Sequence, residues 1–168
     1  MTETAVDRLA TLTAMYQLWL FLHVLGAIAA FGYGFYAPIF GRASAAEPQH
    51  GNWYLRAAKR VSSGVLLPVA LTMFVTGVLL VVETGGFRRF EELWLALSLL
   101  IYVAALAIIF LLQRPTLNKV IELTSAPPGP SGPPAEVPEL LRRLQIYGVL
   151  LLLATVAIVA LMVWKPQL

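Results

Sequence analysis

Charged residues divide the chain into four long apolar stretches. Uncharged runs cover residues 9–41, 61–82, 93–113 and 144–164. A helix needs roughly 20 apolar residues to cross the hydrocarbon core of a bilayer, and it satisfies its own backbone hydrogen bonds there. The pattern therefore predicts an all-α protein, a four-transmembrane-helix bundle with spans at about residues 15–40, 62–83, 93–113 and 144–164.

The composition supports a membrane protein and excludes several other classes. Apolar residues make up 59% of the 168-residue chain and charged residues only 12%, against about 45–50% and 25% in soluble domains. A net charge of +3, with the basic residues beside apolar runs, does not indicate a nucleic-acid partner. The absence of cysteine excludes disulfides, thiolate metal sites and cysteine nucleophiles.

The distribution of Lys and Arg predicts the orientation of the chain. Eight of them lie in the segments that join span one to two and span three to four, and four lie at the other end. Basic loops stay in the cytoplasm, so both termini are expected on the outer side of the cell membrane. A cleaved signal peptide is the alternative for span one, but the chain starts with acidic Glu3 and Asp7, and the apolar run is longer than such peptides carry.

Two of the connecting segments have a distinctive composition. Residues 125–137 contain a run of Pro, Gly and Ser and are expected to form an extended cytoplasmic linker. Residues 52–63 form a basic lead-in to span two, with Trp53 and Tyr54 suited to the interface and cations suited to anionic headgroups. Either this lead-in is a solvated helix start that follows the positive-inside bias, or it is a specific lipid or partner site.

Polar residues within the spans carry the functional information, because burying them in lipid is costly. His23 is the only ionisable side chain well inside a span. At helical spacing it shares one face with five small residues, namely Gly26, Ala27, Ala30, Gly34 and Ala37. Small residues let another helix come close, so His23 is expected to point into the bundle. The same face could also support a homo-oligomer.

The other three spans each place one polar side chain at the depth of His23. At 1.5 Å per helical residue, His23, Thr76, Tyr102 and Thr155 all lie about 12–13 Å from the outer boundary. We therefore predict an intramembrane polar cluster formed by these four residues.

Two interpretations of the cluster remain open. It can be a set of interhelical hydrogen bonds, or His23 can be an axial ligand of haem b, paired with a methionine such as Met73 or Met162. A bis-histidine haem within one chain is excluded because His50 lies in a loop. The spans hold no carboxylate for a proton relay or for Ser/His/Asp hydrolysis, and no metal site is expected.

Residues 22–40 resemble a known helix. Leu22-His23, Phe35-Tyr36 and Pro38, on a Gly/Ala-rich helix, resemble the first helix of HemJ-type protoporphyrinogen oxidases and of CopD-like copper-resistance membrane domains. They also resemble predicted integral membrane proteins of unknown function that share this start. The resemblance covers one span and implies a four-helix core with His23 as a haem- or porphyrin-site residue. A further histidine after the first helix and a basic residue in span three, both expected of HemJ-type proteins, are missing here.

The sequence thus predicts a multi-pass protein of the cell membrane, with the lipid bilayer as its partner. We expect an accessory or structural component without enzymatic activity. The alternative is a haem-binding membrane redox protein of HemJ or CopD type that uses His23 as a ligand or site residue.

Overall fold

The computed structural model describes residues 3–85, 92–125 and 134–166. All secondary structure in this part of the chain is helical. The helices are α1 (Glu3–Ala46), α2 (Gly51–Val61), α3 (Leu67–Gly85), α4 (Leu93–Ala107), α5 (Arg114–Leu123) and α6 (Val137–Trp164). A short 3-10 turn, Pro48–His50, separates α1 from α2.

Two π-helical segments join the shorter helices into continuous rods. Ser62–Leu66 connects α2 to α3, and Ile108–Gln113 connects α4 to α5. The candidate membrane spans are accordingly Ala10–Tyr36, Gly51–Gly85, Leu93–Leu123 and Val137–Trp164. In the described ranges, four helices are therefore long and apolar enough to cross a membrane, which confirms the predicted fold class. The side on which the termini lie stays a prediction.

The helices extend beyond the apolar segments marked by the sequence. The first begins at Glu3, and α6 begins at Val137, with a proline in its first turn and the acidic Glu139 beside it. Proline and an acid both suit a helix start, so charge ends the apolar segment without ending the helix. Of the predicted linker, residues 126–133 lie outside the described residues, as do residues 86–91 of the turn between the second and third spans.

The bundle leaves most of its large apolar side chains on the outside. Phe21, Ile28 and Leu111 are 62%, 63% and 72% exposed, and many other residues of the spans are similar. A surface of this kind would promote aggregation in water, whereas lipid tails solvate it. Inside the bundle, α1 packs most extensively against α3 and also against α6, and α4 packs against α6.

A small core closes one end of the bundle, where α2, α5 and the start of α6 meet. Buried Leu55, Val120 and Val137 each come from a different one of these helices. The side chain of Asn52 donates to the Ile121 carbonyl at 3.0 Å and to the Thr124 hydroxyl at 2.8 Å. We call this part of the molecule the basic end, because it also carries eight of the twelve Lys and Arg residues.

Candidate functional site around His23

The imidazole of His23 connects α1 to α3. Its Nδ1 atom lies 3.0 Å from the Met73 carbonyl oxygen and 3.1 Å from the Thr76 hydroxyl oxygen. A carbonyl oxygen only accepts hydrogen bonds, so a neutral ring must carry its proton on Nδ1 and donate from there. The ring tautomer is therefore set by the backbone of the neighbouring helix.

Thr76 completes this contact from within α3. Its hydroxyl donates to the Thr72 carbonyl one turn earlier, at 2.8 Å, as threonines in helices often do. Because the hydroxyl proton is used there, the oxygen can accept from His23. Thr76 is also only 2% exposed, so this polar group is both buried and satisfied.

Glycines on both helices permit the close approach. A Cβ atom added at Gly77 would lie 3.1 Å from Cε1 of His23, and one at Gly26 would lie 2.4 Å from Cγ of Met73. On the same face of α1, a Cβ atom at Gly34 would lie 2.9 Å from Cδ1 of Leu152 in α6. The small-residue face of α1 therefore packs against two helices of its own chain. A homo-oligomer through this face stays a prediction, and a second copy would have to displace these contacts.

Tyr102 and Thr155, the other residues of the predicted cluster, make their hydrogen bonds elsewhere. The Tyr102 hydroxyl donates to the Ala70 carbonyl at 2.8 Å, and its ring stacks on Phe74 at 5.9 Å between centroids, so it joins α4 to α3. Thr155 donates to the Leu151 carbonyl of its own helix at 2.9 Å. The structure thus brings His23 and Thr76 together, and no hydrogen bond among the described residues links Tyr102 or Thr155 to them.

The second ring nitrogen of His23, Nε2, differs from Nδ1 in its surroundings. Nε2 has no hydrogen-bond partner among the described residues and is not fully enclosed. With the proton on Nδ1, Nε2 carries a free lone pair. Met73 contributes its carbonyl to His23, while its thioether packs toward Gly26. Within the described ranges, no group of three or more His, Cys, Asp and Glu side chains could hold a metal ion.

Sequence reasoning did not find the main acceptor of the His23 proton. The acceptor is a backbone carbonyl, that of Met73, and every residue has a carbonyl, so no side-chain pattern marks it. The register of α1 against α3 selects it. The one signal in the sequence that could have indicated this contact was Gly77 next to Thr76, because a small residue beside a hydroxyl lets another helix come close.

A protein-family model described as predicted integral membrane protein (DUF2269) matches residues 17–166. The match includes His23 and the whole of α3, which contacts it. No curated protein and no solved structure matches the chain. The chain therefore belongs to the DUF2269 family of predicted integral membrane proteins.

Proposed function

Starting from its membership of a family of integral membrane proteins, we propose that this protein is an accessory or structural component of the cell membrane without catalytic activity. Both termini face outward in this proposal, since the basic end suits the cytoplasmic side. His23 fastens the first spanning helix to the second. The supporting observation is the placement of Nδ1 at 3.0 Å and 3.1 Å from two acceptors of α3.

The energetic contribution of this contact is modest and local. Hydrogen bonds between membrane helices contribute about 0.6 kcal/mol on average and up to about 1.7 kcal/mol. A half-buried imidazole N–H that lost its acceptors would cost more, because lipid offers no replacement. The contact therefore selects one register of α1 on α3, in which Gly77 faces the ring.

Two substitutions at one position test this role. His23→Ala removes both ring nitrogens, whereas His23→Asn keeps an N–H donor near the position of Nδ1 and lacks Nε2. Unfolding of the full-length chain in mild detergent, titrated with SDS and followed by circular dichroism, should show His23→Ala destabilised by about 1–2 kcal/mol. His23→Asn should recover most of that loss. Equal stability of the three proteins, or an Asn variant as weak as the Ala variant, would refute the fastening role.

A haem-binding redox role is a second proposal, and the hydrogen bond of Nδ1 favours it. Ligand histidines usually donate their other ring N–H to a carbonyl or carboxylate, which fixes the tautomer, and His23 donates to Met73 in this way. The resemblance of residues 22–40 to HemJ-type and CopD-like helices supports the same proposal. Haem b would supply one-electron chemistry when bound, and Nε2 of His23 would hold it.

The same two variants separate the proposals. If haem binds through Nε2, the purified protein shows a Soret band that both His23→Ala and His23→Asn abolish. If the imidazole only fastens the helices, the protein is colourless after expression with excess haem, and the stability of His23→Asn stays near that of the parent.

A further inference from the structure

Two adjoining cavities lie at the basic end, between the last turn of α2 and α5. The larger is about 480 Å³ and is lined by Arg56, Lys59, Arg60, Ser63 and Ile121. The smaller is about 270 Å³ and is lined by Lys59, Ser62, Ser63, Arg114, Leu117 and Asn118. Because Lys59 and Ser63 line both, the two cavities form one cleft, which we call the basic cleft.

The cations of the basic cleft lack the acidic partners that three other cations of this end have. Lys119 pairs with Glu136, and Arg142 and Arg143 both pair with Glu139. In contrast, four basic side chains line the cleft, and no described carboxylate lines it. None of the four forms an ion pair with another described residue. The four are Arg56, Lys59, Arg60 and Arg114. Uncompensated positive charge is thus concentrated in one concave site.

Arg114 is held in place across the cleft. Its guanidinium donates to the Ser63 hydroxyl at 3.1 Å and lies 4.9 Å from the ring centroid of Phe110. Since the Ser63 oxygen accepts this bond, the hydroxyl proton can be donated to a ligand. Ser63 lies in one π-helical segment, and Arg114 directly follows the other. Such segments are rare and frequently occur at functional sites.

Apolar surface adjoins the cleft on the side of the spans. Val65, three residues beyond Ser62, is 53% exposed, and Leu111, three residues before Arg114, is 72% exposed. A ligand with a charged head in the cleft would find uncovered apolar side chains one helical turn deeper. This juxtaposition suits an amphiphile better than a small soluble anion.

We propose that the basic cleft binds the phosphate of an anionic phospholipid, with its acyl chains along the exposed apolar residues of the second and third spans. Phosphate oxygens match the planar donor fork of arginine and accept from hydroxyl groups. This site is separate from His23 and does not depend on the function proposed for that residue.

A matched pair of double variants tests the proposal on the full-length protein in detergent. Lys59→Gln/Arg60→Gln removes two charges from the cleft, and Arg142→Gln/Arg143→Gln removes two charges from the same end outside it. Lys59 and Arg60 make no side-chain hydrogen bond or ion pair among the described residues, so the double substitution breaks no such bond there. Native mass spectrometry across a titration with phosphatidylglycerol measures the affinity.

We expect the cleft variant to bind phosphatidylglycerol about 25-fold more weakly, at about fivefold per cation near a membrane surface, while the control changes less than twofold. Equal losses in the two variants would overturn the proposal, because attraction would then be unspecific. Equal binding of phosphatidylcholine would also overturn it. Displacement of the lipid by an equal concentration of inorganic phosphate would assign the cleft to a soluble anion instead.

A conservative substitution supplies an independent readout. Arg114→Lys keeps the positive charge but loses the planar fork and its bond geometry. If the cleft recognises phosphate by shape, this variant also binds phosphatidylglycerol several-fold more weakly. If Arg114→Lys and Lys59→Gln/Arg60→Gln both bind phosphatidylglycerol as tightly as the parent protein, the cleft is excluded as a lipid site.

Discussion

Replacing Gly26 with alanine tests how closely α1 lies against α3. A Cβ atom there would be 2.4 Å from Cγ and 3.0 Å from Sδ of Met73, and 3.5 Å from Cγ1 of Val69. Carbon atoms make their best contact at about 3.5–4.0 Å. The Cγ atom of Met73 must therefore move by about 1 Å or more, or the two helices must separate.

The cost of that movement can be estimated from packing. Overfilling a well-packed contact costs about 1–3 kcal/mol. Met73 is flexible and can rotate its thioether, but its carbonyl accepts from His23, so a shift of the backbone would also weaken that hydrogen bond. We expect Gly26→Ala to destabilise the protein by about 1–3 kcal/mol relative to a control that carries the same change of helix propensity.

Gly32→Ala is that control, because a Cβ atom at Gly32 on the same helix would have no neighbour within 4 Å. SDS-titrated unfolding of both variants gives the difference. Adding Met73→Ala to Gly26→Ala should restore part of the lost stability. Together with the single variant Met73→Ala, these proteins form a double-mutant cycle for the contact. If Gly26→Ala proves as stable as Gly32→Ala, then α1 does not pack on α3 in the described register.

Three further predictions concern other contacts. Tyr102→Phe keeps the ring but loses its bond to the Ala70 carbonyl, so unfolding should show a loss of about 0.6 kcal/mol, and an unchanged protein would contradict this bond. Val120→Ala removes two methyl groups from a fully buried site and should cost about 2 kcal/mol; a cost near zero would contradict the core at the basic end. The hydrogen bond from Lys119, and then its positive charge, lower the pKa of Glu136. The pair should therefore stabilise the fold at pH values above the ordinary pKa of glutamate, and this stabilisation should be lost as the pH falls through the lowered pKa. NMR titration should find the pKa of Glu136 back at its ordinary value in Lys119→Gln, and an unshifted pKa in the parent chain would refute the pairing.

The helices were predictable because apolar length is a strong and local signal. Glu92 marked both the end of an apolar segment and the start of α4 at Leu93. Arg143 also ended an apolar segment but lies inside a helix, since α6 begins at Val137. The π-helical segment Ser62–Leu66 was not predicted. No residue type or spacing in this segment marks the wider turn, because apolar periodicity looks the same in an α-helix that contains one.

The site was predictable only in part, because the depth of a residue along its span does not determine the direction in which its side chain points. His23 and Thr76 were predicted at the same depth, and their side chains also face each other between α1 and α3. Thr155 was predicted at a similar depth, yet its hydroxyl bonds to its own helix, a partner that is always available to a threonine. Tyr102 reaches across to α3 but contacts a carbonyl, and sequence patterns do not reveal backbone partners.

The protonation state of the His23 ring in a bilayer, and its contact with the Met73 carbonyl, show directly whether His23 fastens α1 to the backbone of α3. Solid-state NMR of the chain labelled at histidine and at the Met73 carbonyl can measure both, with exposed His50 as an internal reference. We expect a neutral His23 ring, protonated at Nδ1 and unprotonated at Nε2, with Nδ1 in contact with the carbonyl carbon of Met73. A ring protonated at Nε2, or no contact with that carbonyl, would contradict it.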